Sequence, residues 1–362
     1  MDTFKHLKTL TETAGPSGNE QAIAAVVKES WQPYANHFVQ DRLGNVMAVK
    51  EGSGKSPRRS ILLAAHMDEI ALMVHDIVSY NDNGFLRVTN VGGVDIRHLY
   101  GQLVTVHGRK NFAGVIGSLT GAMLPPDKRN KPFGYESLLV DVGLPLTEVE
   151  ANISVGDFIS FRQPLRKLQN GRITGKALDN RASIAAVTHC LDYLSQRTHS
   201  WDVVAVATVQ EETRLLGAFT TAHSQQPDIA IAIDVTFGKG PSTNDTNTFE
   251  LGSGPALDLG PNVHSGMYKA LKKAANAIEM SVSTGTHSRA SGTDAFALQV
   301  ARSGIPTGLI SIPLRYMHTM VESVALKDVE RSGRLMAEFI AQLDDQFLDK
   351  LAAGMMGEDS DQ

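Results

Sequence analysis

The chain alternates two kinds of hydrophobic pattern. "RRSILLAAH", "WDVVAVATV", "PDIAIAID" and "TGLISI" contain short, continuous apolar runs. Such runs predict strands buried on both faces, as in a parallel sheet covered by helices. The fourth run is expected to stop before Pro313. Between the runs, apolar residues recur at helical spacing over 181–195, roughly 216–224, 265–279, 294–302 and 326–344. "GPSGNEQAIAAVVKESW" opens a further helix, because Ser17 and Glu20 have capping-box spacing and Ala22, Val26 and Val27 follow at helical period. "SGTDAFALQVA" reads as a helix capped by Ser291 or Thr293. Strands alternating with helices predict an α/β fold with a mainly parallel sheet flanked by helices.

Residues 69–165 follow another pattern. "GFLRVTNVGG", "GQLVTVHG", "FAGVIGSLTG", "SLLVDVG" and "VGDFISFRQ" are short, β-rich and separated by Gly or Asn turns, with no helical pattern between them. This predicts a small β-barrel-like domain inserted into the α/β domain. The expected organisation is a discontinuous α/β domain, 1–68 and 166–350, an insertion at 69–165, and a flexible tail at 351–362.

Composition narrows the class. With 362 residues, 42% hydrophobic and 20% charged, the chain fits a folded protein of about two domains. Thirty-four basic against 39 acidic residues give −5, and no basic run suggests nucleic acid as a partner. No apolar run reaches the roughly 20 residues of a membrane span, so no membrane partner is expected. The start, "MDTFKHLKTLTETAG", lacks the apolar stretch of a signal peptide. The one cysteine, Cys190, lies in an apolar helical pattern and reads as a buried core thiol. A cytoplasmic location is the expectation.

Parallel α/β sheets bind ligands outside the carboxyl ends of their strands. Here those ends carry chemistry. His66 and Asp68 follow the first run, Glu211 and Glu212 the second, Asp234 closes the third, and His318 follows the fourth. Asp179, in "GKALDNRASIAAV", stands at the start of a helix, where an Asp usually caps. Two imidazoles and several carboxylates without thiolates suit two divalent cations, with zinc, cobalt and manganese all accepting the set. A short carboxylate such as Asp suits a bridge between ions about 3.5–4 Å apart. Adjacent Glu211 and Glu212 would repel unless cations neutralised them, and one could then stay free to accept a proton. A strand would send them to opposite faces, so a turn is needed to aim both at one cavity.

These residues, in order, resemble a known family. His66-Met67-Asp68-Glu69, Leu178-Asp179-Asn180-Arg181, Gln210-Glu211-Glu212, Ile233-Asp234-Val235-Thr236, Gly292-Thr293-Asp294-Ala295 and Arg315-Tyr316-Met317-His318 are similar to motifs of the tetrahedral (TET-type) aminopeptidases, metallopeptidase family 42. "GPSGNE", "DRLGNVMAV", "GGVDIRHLYGQLVTVHG" and "VGDFISF" extend the likeness from about residue 5 to 345. The resemblance implies a zinc-peptidase-like core with an inserted β dimerisation domain. It implies that His66 and Asp234 hold one metal, that Glu212 and His318 hold the other, and that Asp179 bridges them. Glu211 would be the general base and Asp68 would orient His66. It further implies peptide substrates cleaved at the N-terminus, and homo-oligomers in which dimers assemble into dodecamers.

The chain departs from the family in places. Thr213, Arg214, Leu215 and Leu216 stand where many members read Val-Gly-Leu-Arg, Thr319-Met320 replaces Ser-Pro, and Phe237 stands where a His is common. Arg214, Arg289 and Arg315 are candidates to read an acidic first side chain. His75, His107, His264 and His287 match no ligand position and read as surface or core residues. The alternatives are another hydrolase on the same fold, deacylase or β-glucanase-like, and a non-catalytic oligomeric homologue. A glycosidase would use two carboxylates and give the histidines no work.

Overall fold

The computed structural model describes residues 1–117, 122–124, 126–127, 134–241, 243 and 245–354. The chain opens with helices α1 (Thr3–Glu12) and α2 (Gln21–Trp31), then β1 (His37–Gln40), β2 (Val46–Lys50) and β3 (Ser60–His66). Then come β4 (Ala71–Tyr80), β5 (Asn83–Val91), β6 (Leu103–His107), β7 (Asn111–Gly117), β8 (Leu139–Pro145), α3 (Leu146–Asn152) and β9 (Phe158–Phe161). The return path is β10 (Arg166–Lys167), β11 (Arg172–Gly175), α4 (Leu178–Leu194), β12 (Asp202–Thr208), α5 (Leu216–Gln225) and β13 (Ile229–Phe237). It continues through β14 (Ala256–Leu259), α6 (Ser265–Ala277), β15 (Ser283–Thr286), α7 (Asp294–Gln299), β16 (Thr307–Arg315), β17 (Glu322–Ala325), α8 (Leu326–Ala341) and α9 (Phe347–Ala352).

The main sheet runs β1-β2-β12-β3-β13-β16-β17-β11-β10, with β14 and β15 attached beside β16. Its centre, β12, β3, β13 and β16, is parallel. Antiparallel strands close both edges. The continuous apolar runs have a direct cause, since alternate residues enter cores on opposite faces. Val203, Ala205 and Ala207 of β12 join Ile61 and Leu63 against α4, α8 and Trp31. Val204 and Val206 join Leu62 and Ala64 against Ala218, Ala222 and Leu298 on the other side. Each fully buried Leu, Ile or Val contributes roughly 1.5–3 kcal/mol. Cys190 lies in the first of these cores, and burial pushes its thiol up.

Strands β4-β5-β8-β7-β6-β9 close into a barrel with its own core, including Leu72, Val104, Val140 and Ile159. The barrel contains one α-helix among the described residues, α3, which the sequence pattern did not suggest. Only Val149 of that seven-residue helix is buried, so no amphipathic repeat marks it.

Three local expectations are corrected. β16 does not stop before Pro313 but runs through it. In the register, Pro313 falls between Ile310 and Ser311, which pair with β14, and Leu314 and Arg315, which pair with β17. It thus sits where that side of the strand has no partner and a missing N–H costs least. Ser17 and Glu20 form no capping box. Glu20 precedes α2 without capping it, and its carboxylate accepts instead from the N–H groups of Gly18 and Gln210. The expected tail begins inside α9, where Leu351 is buried, and residues 355–362 lie outside the described residues. No helix among the described residues is long and apolar enough to cross a membrane.

Candidate metal centre and substrate cavity

The carboxyl ends of the central strands converge on one cluster. His66 ends β3, Asp234 lies near the end of β13, and the turn after β12 carries Glu211 and Glu212. His318 sits in the loop after β16 and Asp179 at the start of α4. Asp179 does not cap that helix. Its φ and ψ of −77° and 104° are non-helical, and its N–H donates to Glu322 Oε2 at 3.0 Å.

Asp179 turns its two oxygens to different imidazoles. Oδ1 lies 3.2 Å from His66 Nε2, and Oδ2 lies 3.4 Å from His318 Nε2. Around His66 Nε2 stand Glu211 Oε2 at 3.8 Å and Asp234 Oδ1 at 3.9 Å. Glu212 Oε1 is 3.6 Å from His318 Nε2. Two sets of donor atoms lie within 4.8 Å of one another, His66 with Glu211 and Asp234, and His66 with Asp179 and Glu212. His318 falls in neither set, though it faces Asp179 and Glu212.

Neighbours hold these side chains. Asp68 presents its backbone carbonyl to His66 Nδ1 at 3.3 Å, and its Oδ1 is 3.5 Å away. Its carboxylate accepts from the N–H of Glu211 at 3.1 Å and of Glu212 at 3.1 Å. That grip, with Gln210 at φ +55°, turns the chain so that both glutamates face the cavity. Glu322 accepts from the N–H of His318 as well as of Asp179. The barrel contributes Gly93, whose carbonyl lies 3.1 Å from His318 Nδ1. A Cβ on Gly93 would stand 2.6 Å from that nitrogen.

The electrostatics are those of crowded, buried carboxylates. Burial first, then the charges of Asp234, Asp294 and Glu212, hold the Glu211 carboxyl well above its ordinary range. Burial and Asp179 push Glu212 up to about 7. Asp234 is raised by burial and by Asp179. For Asp179 burial acts upward too, but hydrogen bonds from both imidazoles outweigh it and lower the carboxyl. The bond to Asp179 raises His318 to about 9. Such a set of hard oxygen and imidazole donors, short of positive charge, fits divalent cations.

The cluster opens into a cavity of about 570 Å³. Arg214 lines it, whereas Arg289 is exposed and not among the lining residues, and Arg315 donates to the carbonyl of Lys239. His75, His107 and His264 stay out of the cavity lining, but His287 lines it, paired with Asp258. The sequence reading missed Asp258 and Glu322, and it placed Asp294 in a motif without giving it a role. Glu322 had one signal, a lone charge inside the apolar stretch "MVESVA".

A mainly parallel sheet with a barrel inserted after its β3 strand, and an imidazole–carboxylate cluster at the strand ends, define a metallohydrolase architecture. The model of the peptidase M42 family, described as M42 glutamyl aminopeptidase, matches residues 44–335, and the chain belongs to this family of aminopeptidases. A lysyl aminopeptidase of Pyrococcus furiosus is 33% identical, with 95% of this chain and 98% of that protein covered. The crystal structure of a TET aminopeptidase from a marine-sediment archaeon of the Thaumarchaeota superposes with a TM-score of 0.90 at 32% identity, covering 96% of this chain and 98% of that one. The TET1 peptidase of Pyrococcus horikoshii, described as assembling into a tetrahedron or a large octahedral shell, gives a TM-score of 0.82 at 29% identity, covering 94% and 100%. Membership in this metallopeptidase family implies divalent metal ions.

Proposed function

We propose that the chain removes the N-terminal residue of peptides at a site for two divalent cations, with Glu211 as general base. The observation that carries this reading is Asp179, whose two oxygens face His66 and His318. His66, Asp234 and Asp179 would hold one cation, and Glu212, His318 and Asp179 the other. That provides three donors at each position and leaves Glu211 free. Bound cations would polarise the scissile carbonyl and the attacking water and would hold the substrate's free amine.

The chain's own residues do the rest. Glu211 takes the water's proton and passes it to the leaving amine. Asp68 keeps the Glu211–Glu212 turn in register through two backbone N–H groups. Glu322 fixes the backbone at Asp179 and His318 together.

The family likeness supports a catalytic domain of 1–68 and 166–350, a dimerising insertion at 69–165, and assembly of dimers to a dodecamer in the cytoplasm. The native ion is zinc or cobalt, with manganese an alternative. The test is hydrolysis of aminoacyl-nitroanilides by metal-stripped protein, with Zn²⁺, Co²⁺ or Mn²⁺ restored. Metal-dependent release supports the reading. Release unaffected by chelation, or none with metal taken up, contradicts it.

A further inference from the structure

The cavity that begins at the metal centre also contains a second polar device, built from Asp258, His287 and Ser311. Asp258 is 1% exposed. His287 Nε2 lies 3.1 Å from its Oδ1, and the Ser311 hydroxyl donates to its Oδ2. Because a carboxylate only accepts, Nε2 carries the hydrogen. Ser311 binds the aspartate and not the histidine, so this is no nucleophilic triad. Its order instead anchors Asp258 from below and aims the imidazole.

The backbone makes room for the pair. Asp258 on β14 is in register with Gly285 on β15, and a Cβ on Gly285 would stand 1.9 Å from Asp258 Oδ1. A Cβ on Gly260 would stand 2.6 Å from the His287 carbonyl oxygen. The second ring nitrogen, Nδ1, has no hydrogen-bond partner among the described residues, while the ring is part exposed in the cavity.

Resting on the aminopeptidase reading, we propose that His287, positioned by Asp258, reads the side chain of the residue being removed and favours one ending in a hydrogen-bond acceptor, carboxylate or amide, over aliphatic or ammonium ends. The bond to Asp258 raises the imidazole above its ordinary value against the effect of burial, which favours a hydrogen on Nδ1 as well. Nδ1–H then donates into the cavity. Asp258 offers an ammonium little, since both oxygens already accept and its charge is matched by the ring. Arg214 lines the same cavity and adds a second cation for an acidic end. Family membership does not decide this point, since the family model is described by a glutamyl activity and the Pyrococcus furiosus relative by a lysyl one.

The experiment compares kcat/KM of the metal-loaded enzyme on glutamyl-, glutaminyl-, leucyl- and lysyl-nitroanilides, for the native chain, His287→Phe and Asp258→Asn. The native enzyme should favour the glutamyl and glutaminyl substrates. His287→Phe, which keeps a ring but no nitrogen, should lower those two by about 10–100-fold, the scale of one hydrogen bond to a charged group. The leucyl value should stay within about threefold, showing that the fold and the metals are intact. Asp258→Asn should shift the same ratio in the same direction. A native preference for lysyl or leucyl substrate, or equal loss on all four in His287→Phe, overturns the inference while leaving the aminopeptidase reading standing. No turnover of any substrate by fully metallated native enzyme overturns both.

Discussion

The backbone N–H of Glu211 donates to the carboxylate of Asp68 at 3.1 Å, tying the end of β12 to the residue two beyond His66. Glu212 donates to the other oxygen. Asn at position 68 would replace one acceptor with an NH₂ group and leave one buried N–H unpaired. Asp68→Asn should cost about 1–3 kcal/mol of stability. It should also lower kcat by about 10–100-fold while metal uptake persists. Thermal unfolding and steady-state kinetics on one preparation check both. An unchanged kcat would show that the turn does not depend on this grip.

Gly93 tests the link between the barrel and the metal centre. A methyl group there would stand 2.6 Å from His318 Nδ1 and 2.8 Å from Cε1, so the ring must move. Gly93→Ala should weaken cation affinity by about 10–100-fold. The barrel core, built on residues such as Leu72 and Ile159, is untouched and its melting should not change. Metal titration followed by calorimetry measures this. Native affinity in the variant would remove His318 from the ligand set.

Much of this site was legible because its residues end continuous apolar runs. Buried strands β3, β12 and β13 leave few polar residues, so His66, Glu211, Glu212 and Asp234 stood out against Leu62, Val204 and Ile231. Asp258 and His287 did not. Asp258 lies in a four-residue strand and meets a histidine 29 positions on only because β14 pairs with β15. Edge strands β1 and β10 bury no residue, and four-residue β11 beside β10 buries only two, so no pattern shows. Ser17 and Glu20 had the spacing of a cap, but tertiary bonds took their polar groups, Ser17 facing Thr213 and Glu20 holding Gln210.

Arg214 occupies a φ of +149°, a conformation that suits glycine better than any L side chain. Arg214→Gly should remove backbone strain of about 1 kcal/mol, partly offset by the freedom glycine gains in the unfolded chain. The melting temperature should hold or rise slightly. The cost should fall on activity toward acidic substrates, since Arg214 lines the cavity. A clear loss of stability would mean that the arginine side chain contributes packing greater than the strain.

Acid should loosen α1 before it reaches the carboxylates' usual range. His6 is held mainly by burial at about 4 against an ordinary 6.5, with Nε2 3.0 Å from Thr188 Oγ. The unfolded chain therefore binds a proton that the folded chain refuses. Stability from this group is complete above about pH 6.5 and is lost as pH falls toward 4, by about 2–3 kcal/mol. His6→Gln should flatten that part of the stability profile, measured by denaturant unfolding between pH 7 and 4. An identical slope in the variant would assign the acid sensitivity to other groups.

In the proposed mechanism Glu211 moves the proton while the other five side chains hold two cations. Glu211→Gln keeps the shape and removes the base. Metal content and aminoacyl-nitroanilide turnover, measured on the same samples of native and variant protein, test it most directly. Two equivalents of divalent metal are expected in both proteins, with a kcat at least about 100-fold lower in the variant. A variant that keeps most of its turnover, or one that loses a metal with its activity, would contradict it.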